Sequence, residues 1–247
     1  MRIPRLYTNQ PLLIDTAGEL SDTAAHYVNT VLRMKADREI ILFNGTGGEY
    51  TAKLTQVKKR LVSFEVTRFN EENRESKHYS HLAIGVSRGD RMDFVLQKAT
   101  ELGVSAITPL FTERTEVKLS GERLEKKFQH WQQIIVSACE QSQRNILPTL
   151  SSPTSLTDFF SDTKNAEQKP CRLILHPGEA SFSIQNSPIQ TRTILLVGPE
   201  GGFSEYELKE AINNKFETWA LGPRILRTET APLAALSVLQ QFWGDWG

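Results

Sequence analysis

The sequence predicts a chain in two parts, a small β-barrel followed by an α/β domain built on a mainly parallel sheet. Three observations carry that prediction. Short apolar strands crowd the first 70 residues around one helix. A polar stretch without a single apolar residue follows at 70–77. From there strands alternate with helices to the C-terminus, the pattern of a parallel sheet with crossover helices. The expected boundary is at 72/73, giving domains 1–72 and 73–247.

In the first part, Ser21 has the chemistry of an N-cap for a helix over 22–33. Residues 39–43 are a short apolar run ending at the Asn44–Gly45 turn signal. Residues 50–57 and 61–69 alternate, with Phe64 one place out of step, which predicts a bulged or twisted strand. Lys58, Lys59 and Arg60 would form the basic tip between them. In the second part, strands are expected at 82–86, 106–111, 172–175, 193–197 and 216–221. Helices are expected at 91–102 (stopped by Gly103), 121–143, 204–214 and 231–242. Residues 151–168 are rich in Ser and Thr and read as peripheral. There is no internal repeat.

Composition excludes several classes. With 39% hydrophobic and 23% charged residues the chain is too apolar for disorder. Lys+Arg and Asp+Glu both number 29, so a broadly cationic nucleic-acid coat is excluded. Two cysteines, Cys139 and Cys171, make neither a disulfide framework nor a four-cysteine zinc module, and fit a reducing compartment. The N-terminus lacks the apolar core of a signal peptide, and no run reaches about 18 apolar residues, so a cytoplasmic protein with no membrane partner is expected. The neutral total hides an asymmetry: residues 1–150 carry a slight positive excess and 151–247 a negative one. A polyanion docking on the first 150 residues is one reading, and ordinary solvated surface charge is the other.

Two loops concentrate the chemistry. In the first, the apolar run 194–197 enters Gly198-Pro199-Glu200-Gly201-Gly202 and then a helix marked by the capping-box spacing of Ser204 and Glu207. Ligands bind at this strand-to-helix edge of open α/β sheets. The loop lacks both the Walker ending and the G-x-G-x-x-G spacing, and Glu200 would repel a phosphate. A carboxylate there suits a ligand with hydroxyls or positive charge, and S-adenosylmethionine has both; a tight turn without ligand is the alternative. The second loop is Leu221-Gly222-Pro223-Arg224-Ile225-Leu226-Arg227-Thr228-Glu229-Thr230-Ala231-Pro232, with Thr230 as a possible N-cap and Pro232 in the first helical turn. Its two arginines, glutamate and two threonines exceed what a connection needs. Local fastening by side-chain hydrogen bonds is the alternative.

With these motifs on the page, the chain resembles the RsmE-type 16S rRNA (uracil-N3)-methyltransferases of the SPOUT class. The resemblance runs through Met1-Arg2-Ile3-Pro4-Arg5, His26 to Arg33, Leu96 to Val104, Ile107 to Leu110, Glu113-Arg114, Cys139 to Arg144 and both loops. Gln143 departs from it, since glycine is common there in that family. The resemblance implies a PUA-like RNA-binding β-barrel at 1–72 and a knotted SPOUT-type domain at 73–247. It implies S-adenosyl-L-methionine as cofactor, no metal, and a homodimer acting on 16S rRNA within the small ribosomal subunit. It places the cofactor among three loops: Leu175, His176 and Pro177; Leu196, Gly198, Pro199, Glu200, Gly201 and Gly202; and Leu221, Gly222, Ile225, Leu226, Arg227, Thr230 and Ala231.

Uracil N3 is protonated, so transfer to it needs a base or a cation beside the developing O2/O4 charge. Arg227 is the candidate cation and Glu229, with Glu200, a candidate base; holding cofactor hydroxyls or capping a helix is the alternative for either carboxylate. RNA contacts are expected from Arg2, Arg5, Arg33, Arg88, Arg114, Lys118 and Arg144, by phosphate and shape. The five histidines have no metal-ligand spacing. Cys139 reads as a buried inert thiol, Trp131 as core or dimer packing, and Trp243 and Trp246 as subunit-interface candidates. Alternative functions are a SPOUT methyltransferase for another RNA site and a non-catalytic RNA-binding or assembly factor.

Overall fold

The computed structural model describes residues 3–164, 169–178 and 181–247. The chain divides into two compact units: residues up to 75 with 139–147, and residues 76–138 with 148–247.

The first unit contains β1 (Arg5–Tyr7), β2 (Ala17–Glu19), α1 (Asp22–His26), β3 (Glu39–Phe43), β4 (Glu49–Val57) and β5 (Val62–Asn70). Ser21 caps α1 by accepting from the Ala24 N–H, and the helix continues as a π-helical segment, Tyr27–Val31. The sheet runs β1-β3-β4-β5-β2, with β1 parallel to β3 and the other pairs antiparallel. The out-of-step alternation appears as register shifts of β4 against β5 at Thr51/Ala52 and Leu54/Gln56. Leu6, Val28, Ile40, Leu42, Leu54 and Phe64 fill the core.

The boundary differs from the expected 72/73 in two places. Residues 73–75 and 139–147 both belong with the first unit. The reason is a buried polar network. Arg5 pairs with Glu49 and donates to Asn145 Oδ1 at 2.6 Å, and its guanidinium lies 5.1 Å from the Phe43 ring centre. Glu49 also accepts from Asn70 and Arg74. Arg144 grips Glu75 through Nε and Nη2, and Asn145 Nδ2 donates to the Glu72 carbonyl at 2.8 Å. The apolar-free stretch thus carries carbonyl and carboxylate anchors rather than acting only as a tether.

The second unit is built on β6 (Tyr79–Gly85), α2 (Asp90–Glu101), β7 (Ala106–Phe111) and the larger part of α3 (Gly121–Ser142). Next come β8 (Thr149–Leu150), β9 (Thr154–Ser155), α4 (Leu156–Thr163) and β10 (Cys171–Leu175). β11 (Arg192–Val197), α5 (Glu205–Asn213), β12 (Glu217–Trp219) and α6 (Thr230–Phe242) complete it. All pairings are parallel, in the order β12-β10-β11-β6-β7-β8, with β9 also on β7. Strands buried on both faces explain the continuous apolar runs at 82–86 and 194–197.

Two expectations change here, and the structure defines the backbone at Gln143. The 151–168 stretch is not wholly peripheral, because α4 buries Leu156, Phe159 and Phe160 in the core with Ile174 and Phe216; residues 165–168 lie outside the described residues. Trp243 is buried inside its own unit, edge-on to Phe182 and beside His78, whereas Trp246 is exposed. Gln143 takes the left-handed φ of +67° that suits glycine after a helix end. The anchored Arg144 and Asn145 immediately after it hold that turn.

Candidate functional site

β6, β7 and β8 run to one side of the sheet, and β11, β10 and β12 to the other. The order therefore reverses between β6 and β11, and the carboxyl ends of strands at such a point form a crevice. On one side of that reversal, the loops after the neighbouring strands β10, β11 and β12 enclose a cavity of about 590 Å³. This lies within the range of small-molecule and cofactor sites.

Local chemistry shapes each loop. A Cβ on Gly85, the last residue of β6, would lie 2.5 Å from Pro199 Cδ, so only glycine lets the glycine-rich loop seat there. Gly202 turns back with φ +66°, its N–H donating to the Pro199 carbonyl at 2.8 Å. The capping box of Ser204 and Glu207 then starts α5, and Glu207 Oε1 also accepts from the Glu113 N–H at 2.8 Å. Thr228 Oγ1 donates to the Gly198 carbonyl at 2.8 Å, joining the loops after β12 and β11. The His176 N–H donates to the Trp219 carbonyl at 3.3 Å, joining those after β10 and β12.

The site's charges form one group. Glu200 Oε1 accepts from the Arg88 N–H at 3.0 Å and from Arg91 Nη1 at 2.8 Å. Burial pushes the Glu200 carboxyl up. The Arg88 N–H, its own N–H and Arg91 outweigh burial, and the net shift is downward. Glu229 lies 4.0 Å from both Arg91 Nε and Arg227 Nη1. Arg114 Nη1 donates to the Gly201 carbonyl at 2.8 Å, and Arg88 Nε pairs with Glu116 at 2.9 Å. Glu200 is therefore held ionised as an acceptor, a poor arrangement for a base. Arg224 and Arg227 are both exposed on the cavity lining, and Arg227 stands 4.0 Å from Glu229.

Most of the expected cofactor residues line this cavity: Leu175, His176, Pro177, Gly198, Pro199, Glu200, Gly201, Gly202, Leu221, Gly222, Ile225, Leu226, Arg227 and Ala231. Two do not. Leu196 is fully buried among Ala83, Ile174 and Phe203, because strand alternation turns it into the core and gives the wall to Val197. Thr230 is the first residue of α6 rather than its cap; the N-cap is Glu229, which makes no side-chain cap bond.

Arg91, Val197, Phe203, Trp219, Arg224 and Thr228 also line the cavity and were not singled out for it. Trp219 had a usable signal, since it closes a parallel strand at the ligand edge. Arg91 had none, for it meets Glu200 from 109 positions away.

The expected RNA contacts separate into two groups. Arg5 and Arg144 expose only 6% and 5% of their side chains and are consumed by Glu49 and Glu75, so burial removes them from an RNA surface. Arg33, Arg88, Arg114 and Lys118 are exposed. Arg2 lies outside the described residues.

The Cys139 thiol is buried and pushed up to about 12, chiefly by burial, which makes it unreactive. Trp131 is fully buried, with Lys127 Nζ 5.9 Å from its ring centre. Among the described residues there is no group of three or more His, Cys, Asp or Glu placed to hold a metal ion. No helix of the described residues is long and apolar enough to cross a membrane.

Comparison with known proteins points the same way as the cavity. Residues 74–240 match the model of the RNA methyltransferase domain, and residues 20–67 that of the RNA methyltransferase PUA domain. The chain is 36% identical over 99% of its length, and 98% of the relative's, to ribosomal RNA small subunit methyltransferase E of Buchnera aphidicola subsp. Schizaphis graminum. It is 35% identical to the protein of that name from Bacillus subtilis, over 87% of this chain and 86% of the relative. Among solved structures, ribosomal RNA small subunit methyltransferase E of Neisseria gonorrhoeae bound to S-adenosylmethionine superposes with a TM-score of 0.93 at 37% identity, covering 100% of both chains. A putative methyltransferase of Legionella pneumophila, also with bound S-adenosylmethionine, gives 0.91 at 41% identity, covering 99% of this chain and 100% of that one. A domain match over most of the second unit and near-full-length relatives lead to one conclusion: the chain belongs to the RNA methyltransferase family, within the small-subunit ribosomal RNA methyltransferase E group.

Proposed function

We propose that this protein transfers a methyl group from S-adenosyl-L-methionine to N3 of a specific uridine in 16S rRNA of the small ribosomal subunit. The observation that carries the reading is the cavity at the carboxyl ends of β10, β11 and β12, walled by three loops that combine apolar surface, exposed backbone and one fixed carboxylate. Those features fit the cofactor. Leu175, Trp219, Leu221 and Leu226 supply apolar wall, and backbone at Gly198 to Gly202 and at Gly222 stands open to a ligand. Glu200 supplies an ionised acceptor for hydroxyls or positive charge. When bound, S-adenosylmethionine supplies a methyl group on a sulfonium.

The chain's own residues then have two tasks. One is to hold the uracil ring in line; the other is to stabilise negative charge on its O2 and O4 as the N3 proton leaves. Arg227 suits the second task, because its guanidinium can donate to O2 or O4 from the side and leave the in-plane N3 lone pair open to the methyl, and its acidic neighbour Glu229 is 4.0 Å away. Glu229, set between two guanidiniums, serves better as an anchor for them than as a proton acceptor. The target base would be turned out of its stack to reach the site. Arg33, Arg88, Arg114 and Lys118 supply cations for the RNA backbone. A PUA-like barrel in the first unit, a SPOUT-type knot in the second, a homodimer and a cytoplasmic setting complete the reading.

The test is transfer of labelled methyl from S-adenosylmethionine to undermethylated small ribosomal subunits, followed by digestion to nucleosides. Label in 3-methyluridine at one position is expected. Label in another nucleoside would move the assignment to another RNA site. Absence of both transfer and cofactor binding would move it to a non-catalytic RNA-binding factor.

A further inference from the structure

We infer that Arg91, reaching from the first turn of α2, is a positioning residue of the cavity: its guanidinium bridges the Glu200 and Glu229 carboxylates and fixes where both stand for a ligand. The inference rests on the reading that the cavity takes S-adenosylmethionine.

Three observations support it. First, Arg91 lines the cavity together with both carboxylates, although the three residues come from three separate segments. Second, one guanidinium faces both carboxylates: Nη1 donates to Glu200 at 2.8 Å, and Nε lies 4.0 Å from Glu229, within ion-pair but not hydrogen-bond reach. A planar fork can span two acceptors in this way, and an ammonium cannot hold both in the same geometry. Third, the Arg91 side chain is 45% exposed and that of Glu200 28%, so the pair adds little to folding stability. An ion pair of little value to folding, placed on the wall of a cavity, has its effect on what the cavity holds.

Arg91 touches neither reacting atom in this account. It acts through Glu200, whose Oε1 takes both the Arg91 and the Arg88 donors while Oε2 takes neither. It also lowers the repulsion between two carboxylates facing one cavity. Removing it leaves the Glu200 carboxylate held by backbone N–H donors without its side-chain partner, and leaves Glu229, among the described residues, with Arg227 at 4.0 Å.

The experiment measures S-adenosylmethionine affinity by calorimetry, steady-state KM and kcat, and Tm, for the native protein, Arg91→Ala, Arg91→Lys, Glu200→Gln and the Arg91→Ala/Glu200→Gln double variant. For Arg91→Ala, Kd and KM are expected to rise about tenfold, with kcat within about threefold of native and Tm nearly unchanged. Arg91→Lys should fall between the two. The double variant should lose less than the sum of the two single losses, since both changes break the Arg91–Glu200 linkage while only Arg91→Ala also removes the Glu229 contact. Native affinity in Arg91→Ala, full rescue by lysine, additive losses in the double variant, or a Tm loss that tracks the affinity loss would each overturn the positioning role. If the native protein itself binds no S-adenosylmethionine, the reading of the cavity falls and this inference falls with it. If Arg91→Ala fails to fold, Arg91→Lys decides alone, and an unchanged Kd overturns the bridge.

Discussion

Arginines of the two units make an instructive pair of cases. In the first unit Arg5 and Arg144 expose 6% and 5% of their side chains, and each is closed on a carboxylate inside a network of further donors and acceptors. In the second unit Arg227 exposes 80% of its side chain and Arg91 45%, and Glu229 stands 4.0 Å from each. A buried arginine with matched acceptors organises a fold. A half-satisfied arginine at a cavity keeps donors free for something that arrives. Residue type and local spacing do not distinguish these jobs; burial and the count of partners do.

Removing one partner of a buried pair strains this contrast most. Glu75→Ala would leave the Arg144 guanidinium buried without its carboxylate, and about 3 kcal/mol should be lost from the stability of the first unit. Urea unfolding at neutral pH measures it, and a loss below about 1 kcal/mol would mean that the network is not closed as described.

The matching test in the second unit has the opposite signature. Arg227→Ala should leave stability and cofactor affinity near native and lower methyl transfer about 100-fold. Full activity would remove Arg227 from charge stabilisation, and a large stability loss would make it a structural arginine like Arg144.

A smaller effect is the pH dependence carried by the first unit's network. Burial pushes the Glu49 carboxyl up. Hydrogen bonds from Arg5 and Asn70 and the charges of Arg5 and Arg74 outweigh burial, so its folded value lies below the usual 4.5. A lowered folded value means stability that is present above about pH 4.5 and lost as pH falls through the folded value. The acid limb of the stability curve should therefore be shallower in Glu49→Gln than in the native protein. Superimposable limbs would show that Glu49 does not carry this dependence.

Several elements were legible because they are local. The Ser21 cap, the 39–43 strand, the Phe64 irregularity, the capping box at Ser204 and the glycine-rich loop all follow from a few neighbouring residues, and each appears in the structure. Two of the three cavity loops were legible for the same reason, since each lies between an expected strand and an expected helix; the loop after β10 entered only through the family resemblance. Less legible was anything decided by a distant partner. Arg5 reads as a basic N-terminal residue until Glu49 and Asn145 close on it from 44 and 140 positions away. Leu196 belongs to the right strand but to its other face.

The sequence by itself determined the alternation of strands and helices, the loops at the strand ends and the chemical character of each loop, because these depend on periodicity, capping and turn chemistry over short spans. Only the tertiary structure decided which cations are spent on the fold, that residues 139–147 belong with the first unit, and that Arg91 stands between two carboxylates. Those outcomes depend on desolvation and on contacts between segments far apart in the chain, and no local spacing encodes which distant carboxylate a guanidinium will meet.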